Sequence, residues 1–332
     1  MRRRQSTHRH SQSRRTFARA LGLAALGAGA APLHVWGQIL GDHRIQLVKH
    51  STFVMGQVAN VSIVHEDQAH ARRVITDIFA ELRRLDALMS LYDAGSGVSA
   101  INRSAGREAV PVEDDLRDLL RRSAQVSAAT HGALDITVEP LMRLWGFRGG
   151  PRTSRPTDSD VRAALESVGM GRLVVEGADA GLTREGAAVD LGGVAVGYAL
   201  DRTAAIARRA GIDSALIELS GDFYAIGAPP EMSAGWEIGI VDPRHEGRIF
   251  RSLRIRDQGL STSGNYASTV VYNAHRYGHI FDPSRGLPAE RLLSATVVAD
   301  TAFASDAYST ALFVCGDRTI LPSGATGTLL RA

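Results

Sequence analysis

The sequence predicts an α+β fold, a single two-lobed domain with an antiparallel-rich sheet and flanking helices. Three observations carry that expectation. Apolar and polar residues alternate over 44–66, with a break at Met55-Gly56, which reads as two strands around a turn. Over 68–89, Val74, Ile75, Ile78, Phe79, Leu82, Leu85 and Met89 recur at spacings of three and four, the pattern of a long amphipathic helix. Beyond that point strands and helices do not alternate one for one, which argues against a doubly wound parallel sheet.

The remaining elements follow in order. A helix over 113–129 turns Leu116, Leu119 and Leu120 inward. Another spans about 158–168, where Thr157 and Asp160 form a variant capping box. A third starts near Gly197 and stops before Gly211, and a fourth covers roughly 302–315. Short β runs are expected at 172–176, 187–191, 215–219, 236–241, 249–255, 268–273 and 293–299. The stretch from Gly149 to Pro156 is the best lobe boundary, and in the tail after Gly316 the stretch Leu321-Pro322-Ser323-Gly324 reads as coil.

Composition removes several functions. The chain has 332 residues, 44% hydrophobic and 22% charged, which is globular. Its one cysteine, Cys315, rules out an internal disulfide and any multi-cysteine metal site within one chain. Lys49 is the only lysine and no Gly-Lys-Ser/Thr tripeptide occurs, so a Walker A loop is absent and Schiff-base chemistry would rest on Lys49 alone. The net charge of +3 hides an asymmetry: the first 37 residues hold seven arginines and no acid, leaving the rest at −4. Nucleic-acid binding is not expected of such a body.

Those first residues read as an export signal. Arg14-Arg15 with Phe17 precede an apolar run from Ala20 to about Leu33 that ends in small residues, Ala28-Gly29-Ala30-Ala31. This is the layout of a twin-arginine signal over 1–37, followed by one domain over 38–332. A folded, periplasmic protein is expected, with no cysteine positioned for a lipid anchor.

Three segments carry chemistry. Asp306 and Thr310, at i and i+4, share one helix face, which suits a hard cation such as Mg²⁺ or simply a solvated surface. His279 ends a strand beside the turn Asp282-Pro283-Ser284-Arg285-Gly286, as a general base or as a structurally satisfied histidine. From Val189 to Asp201 a strand feeds a glycine-rich turn that opens a helix, either a ligand cradle or a tight connection. It lacks the G-x-G-x-x-G spacing of a dinucleotide fold.

Taken in order, the segments resemble the ApbE family, the FAD:protein FMN transferases. They are Leu88 to Tyr92 with Ile101-Asn102-Arg103; Gly132 to Leu141 with Leu144 to Phe147; the Asp190 turn with Leu219-Ser220-Gly221-Asp222; and Ser261 to Tyr266, His279 to Pro288 and Ala304 to Thr310. The resemblance implies a T-fold-like domain that moves the FMN half of FAD, with Mg²⁺, onto a Thr or Ser hydroxyl of a target flavoprotein and releases AMP. It places metal ligands at Gly193, Asp306 and Thr310, with Ser309 where some relatives carry another ligand. Flavin-binding positions fall on Met55, Tyr92, Ala133, Leu134, Asp135, Asp190, Val196 and Phe281. His279 matches the histidine tied to transfer, and Asp282 is the second candidate base. Tyr92 and Phe281 offer rings for stacking. Val196 replaces a polar residue of many relatives. With its leader, the chain resembles the branch associated with nitrous-oxide respiration, which implies a membrane-bound respiratory partner. FAD hydrolysis to FMN and AMP, or FAD storage without catalysis, stand as the alternatives.

Overall fold

The computed structural model describes residues 45–150, 152–245, 247–265 and 268–331. The leader and Tyr266 lie outside the described residues.

Strand β1 (Gln46–Val54) and β2 (Gln57–His65) form the expected hairpin, with Val54 opposite Gln57 across Met55-Gly56. Helix α1 (Gln68–Met89) follows, capped by Asp67, whose carboxylate accepts the His70 amide at 2.9 Å. Its inner face buries Ala71, Val74, Ile75, Ile78, Phe79, Leu82, Leu85, Leu88 and Met89. Each large apolar side chain there stabilises the fold by about 1.5–3 kcal/mol. Then come α2 (Gly97–Arg103), β3 (Val110–Pro111), α3 (Asp114–Ala129), α4 (Glu139–Leu144) and α5 (Asp158–Leu165). The Thr157–Asp160 capping box is present in both directions.

Strands β4 (Leu173–Glu176) and β5 (Asp179–Leu182) make a small sheet with β3. Helix α6 (Ala195–Arg209) leads into β6 (Ala215–Leu219) and β7 (Asp222–Ile226). The rest is β8 (Trp236–Val241), β9 (Ile249–Ile255), β10 (Gln258–Gly264), β11 (Thr269–Tyr272), β12 (His275–Gly278), β13 (Phe281–Asp282), β14 (Leu287–Pro288), β15 (Leu292–Ala299), α7 (Ala302–Cys315) and β16 (Thr326–Arg331).

The main sheet has seven strands in the order β1-β2-β6-β7-β10-β15-β16, and each neighbouring pair is antiparallel. Ala59, Val61, Ile63, Ile217, Leu219 and Val297 face α1, α6 and α7 in the main core. The β8–β9 ribbon covers part of the other face, where Trp236, Ile238 and Ile255 meet Val64, Ala225, Leu260 and Val298. A third cluster joins α4 to the β11–β14 region through Leu141, Met142, Trp145, Tyr272 and Phe281.

One expectation needs correction. The stretch 187–191 is not a strand. Its backbone is held by a side chain instead: Asn102 Nδ2 donates to the Val189 carbonyl at 3.0 Å, and the Val189 amide donates to Asn102 Oδ1 at 2.8 Å. In the tail, Leu321-Pro322-Ser323-Gly324 is irregular as expected, and beyond it β16, which the sequence does not announce, pairs with β15 from Val298 opposite Thr326 to Leu292 opposite Arg331. Residues 326–331 alternate too weakly to announce an edge strand, and the open side of β15 supplies the partner.

Candidate active site

Two clusters meet where the loop 189–194 enters α6. The first is built by close helix crossing. A Cβ on Gly197 would lie 2.3 Å from the Ala302 carbonyl oxygen and 2.7 Å from Asp306 Cβ, so only glycine lets α6 and α7 approach this far. The Asp201 carboxylate fixes the crossing by accepting the Ala302 and Phe303 amides at 2.7 and 3.0 Å. The Gly197 amide then donates to Asp306 Oδ2 at 2.9 Å and orients it.

Strand β10 closes the other side with hydroxyls. Ser261 Oγ is 3.0 Å from Ser305 Oγ, and Ser263 Oγ is 2.8 Å from Ser309 Oγ and 3.2 Å from Thr310 Oγ1. Thr310 Oγ1 would lie 3.1 Å from a Cβ on Gly193, which places the glycine loop against α7. The structure therefore gathers Gly193, Asp306, Ser309 and Thr310 in one place. Ser309 also donates to the Asp306 carbonyl at 2.9 Å, so its hydroxyl supports the cluster internally.

Asp222 belongs here as well, although no role was read for it from the sequence. It follows the tight turn Ser220-Gly221, both left-handed with φ of 65° and 85°, and its Oδ1 accepts the Thr262 amide at 3.2 Å. The signal was in the Ser220-Gly221-Asp222 string, which reads equally well as a bare hairpin turn. Burial and the adjacent Asp306 carboxylate push Asp222 well above the carboxylate range. Burial and Asp201 raise Asp306 in the same direction. Among the described residues neither has an ion-pair partner. The cluster lacks a positive charge, and its donors are hard oxygens.

Among the described residues no group of three or more His, Cys, Asp or Glu side chains gathers as a metal site. Two carboxylates with hydroxyl and carbonyl oxygens still fit a hard cation that takes its other ligands from water and phosphate. Asp306 is buried, which removes the solvated-face reading.

The second cluster surrounds Asp190. The Asp190 amide donates to the Ile136 carbonyl at 2.7 Å, which ties this loop to the 133–137 segment. Asp190 Oδ1 accepts the Gly192 amide at 2.8 Å, and Oδ2 pairs with Arg148 Nη2 at 2.7 Å. The Arg148 guanidinium lies 5.6 Å from the Tyr92 ring centroid. Tyr92 is 80% exposed, so its ring is open to a ligand rather than part of the core. Arg148 drew no notice in the sequence, because an arginine after Trp145-Gly146-Phe147 looks like an ordinary surface residue.

His279 joins this cluster 6.4 Å from the Phe147 ring. Burial lowers its pKa below that of a free imidazole, with Arg148 lowering it further and Asp190 opposing. It hydrogen-bonds the Ser268 backbone, and its Nδ1 is buried without a partner. A neutral ring with an unused nitrogen is equipped to accept a proton.

The other expected residues divide. Asp135 lies on the 133–137 segment that the Asp190 amide bonds to, raised by burial, with Oδ1 accepting the Thr137 amide at 2.7 Å and hydroxyl at 2.6 Å. Ala133 and Leu134 precede it, Leu134 buried in the core. Met55 sits in the β1–β2 turn at φ 52°, its amide donating to Asp86 Oδ2 at 2.9 Å. Val196, in the first turn of α6, packs on the core. Phe281 departs from the expected stacking role. Its ring is 3% exposed, against Trp145 at 6.1 Å and Phe147 at 5.9 Å, so it has no free face. Asp282 departs too: its Oδ1 accepts the Ser284 amide at 3.0 Å and hydroxyl at 2.6 Å, which makes it a turn-forming residue.

Comparison with known proteins agrees with this architecture. The ApbE family model matches residues 55–322. The chain is similar to the FAD:protein FMN transferase of Salmonella typhimurium, 32% identical over 314 residues, covering 91% of this chain and 87% of that protein. It is also 32% identical over 277 residues to the FAD:protein FMN transferase of Klebsiella pneumoniae, covering 79% and 77%. Among solved structures, the ApbE protein of Thermotoga maritima aligns with a TM-score of 0.77 at 30% identity, over 86% of this chain and 94% of that one. The flavin transferase ApbE of Vibrio cholerae aligns with a TM-score of 0.77 at 27% identity, over 86% and 93%. With the family model spanning most of the chain and relatives 32% identical over most of its length, the chain belongs to the ApbE family.

Proposed function

We propose that this protein transfers the FMN half of FAD to a Thr or Ser hydroxyl of a target flavoprotein and releases AMP. One observation carries the reading: an oxygen cluster short of positive charge stands one loop away from a half-buried, neutral histidine whose Nδ1 is sealed from solvent. Such a pair suits displacement at a diphosphate, which needs charge neutralised at one end and a proton removed at the other.

In this reading Asp306, Thr310 and the Gly193 carbonyl hold Mg²⁺, with Asp222 adding negative charge beside them. The bound cation supplies charge neutralisation at the diphosphate. Tyr92 offers its exposed ring to the flavin, and Asp190 and Asp135 accept hydrogen bonds from its polar edges. The acceptor hydroxyl oxygen attacks the phosphorus of the FMN phosphate. His279 takes the hydroxyl proton, the bond from that phosphorus to the bridging oxygen breaks, and AMP leaves with that oxygen. The leader over 13–33 supports twin-arginine export, so the target is reached from the periplasm, and a membrane-bound respiratory protein fits that position.

The test is incubation of the protein with FAD, Mg²⁺ and candidate acceptors, followed by mass spectrometry of the acceptor. An added FMN on Thr or Ser is the expected result. Free FMN and AMP with an unmodified acceptor would replace this reading by hydrolysis. Equal transfer with and without EDTA would remove the metal from it.

A further inference from the structure

We infer that Arg148 is a positioning residue of the transfer site, one that fastens the flavin platform to the catalytic histidine's surroundings. This rests on the function proposed above and assigns a residue that the sequence reading left without a role. Arg148 Nη2 holds Asp190 Oδ2 at 2.7 Å, and the same guanidinium lies over the Tyr92 ring at 5.6 Å. Arg148 immediately follows Phe147, whose ring neighbours His279. One planar cation thus touches an aromatic platform and a ligand-facing carboxylate, and stands in the electrostatic field of the base.

The cluster is also incomplete without a ligand. Only four buried side-chain polar atoms among the described residues lack a hydrogen-bond partner, and two of them are Arg148 Nε and His279 Nδ1. Buried polar groups are ordinarily satisfied, and exceptions concentrate where a ligand or a reaction completes them. A lysine would not serve in the same way, because only guanidinium presents a flat face to a ring and a fork to a carboxylate.

The charges facing His279 fix the expected direction of a pH effect. Asp190 raises its pKa and Arg148 lowers it, while Ser268 contributes a backbone hydrogen bond. Glu139, on α4, and Tyr92 face Arg148 rather than the histidine. Removing the guanidinium leaves Asp190 unpaired and takes away a repelling charge. Both changes favour the protonated ring.

The experiment compares wild type, Arg148→Met and Arg148→Lys. Binding is measured with FAD, FMN, riboflavin and AMP, each with Mg²⁺, and transfer is followed from pH 5 to 8. Arg148→Met should weaken FAD and FMN about tenfold or more and leave AMP unchanged. Loss for riboflavin too places the contact on the ring or ribityl chain, and retention of riboflavin places it on the FMN phosphate. The acidic limb of kcat/KM should move up by about one pH unit. Arg148→Lys, which keeps the charge beside Asp190, should hold the limb at the wild-type position while losing part of the flavin affinity. If Arg148→Met does not fold, the lysine variant alone decides: wild-type affinity for both FAD and FMN in it overturns the inference. So does a loss confined to AMP, or an unmoved limb in a folded Arg148→Met protein. Wild type that binds FAD but modifies no acceptor would instead overturn the proposed transfer reaction and leave the binding arms to judge Arg148.

Discussion

The two halves of the site solve opposite electrostatic problems. Around Asp306 and Asp222, burial gathers carboxylates that have no basic partner among the described residues, and their affinity for protons rises. Around Asp190, a buried carboxylate has Arg148 beside it. The first half is left hungry for a cation from solution, while the second carries its own. Their construction differs as well. The first is set by helices crossing at Gly197 and by hydroxyls of β10, the second by loops whose aromatic and charged side chains meet. Rigid backbone suits a group whose ligands must lie within tenths of an ångström, and loops suit a ligand that must enter and leave.

The sharpest way to break this comparison is at the base. His279→Ala should lower transfer by about 10²–10⁴-fold, followed by mass of the modified acceptor. Because the ring's pKa is depressed, the wild-type acidic limb should lie below about pH 6.5. A limb above that value would remove His279 as the base. Next is the cation half: Asp306→Ala should cost roughly 10²-fold or more. Raised Mg²⁺ should restore part of that loss but none of the loss in His279→Ala. Rescue of both would show that the halves do not divide the chemistry as proposed.

A third test reads stability. A carboxyl whose pKa is raised by folding binds its proton more tightly in the native state, so its ionisation destabilises the fold as pH rises above the ordinary carboxylate value. In chelator at pH 8, Asp306→Asn should therefore be more stable than the native chain by roughly 1–3 kcal/mol, a gain that shrinks on acidification. Denaturant unfolding at pH 5 and 8 measures it, and a gain that grows toward acid would reverse the argument. Gly197→Ala should destabilise by about 1–3 kcal/mol, since its methyl would meet backbone. Asp282→Ala is the smallest expected effect, about 0.5–1 kcal/mol in stability with transfer within a few-fold of wild type, because its carboxylate serves a turn.

Much of this was open to reading along the chain. The spacing of Val74, Ile78, Leu82 and Leu85 dictates a helix wherever one face can be buried, and the β1–β2 hairpin follows from alternation broken at Met55-Gly56. Asp306 and Thr310 share a face because helical geometry is local. The glycine turn before α6 announces a close approach, though not to what.

Other features exist only because distant segments meet. Asn102 holds 187–191 out of any sheet, and β16 becomes a strand because β15 has an open edge. Nothing near Phe281 in sequence shows that Trp145 and Phe147 will cover its ring, and nothing near Arg148 shows that Asp190 and Tyr92 will receive it. Helix period, capping and turns depend on neighbours a few residues away, so the sequence determines them by itself. Burial, ion pairing and shifted proton affinity depend on which residues from remote parts of the chain exclude water together, and only the tertiary structure decides that.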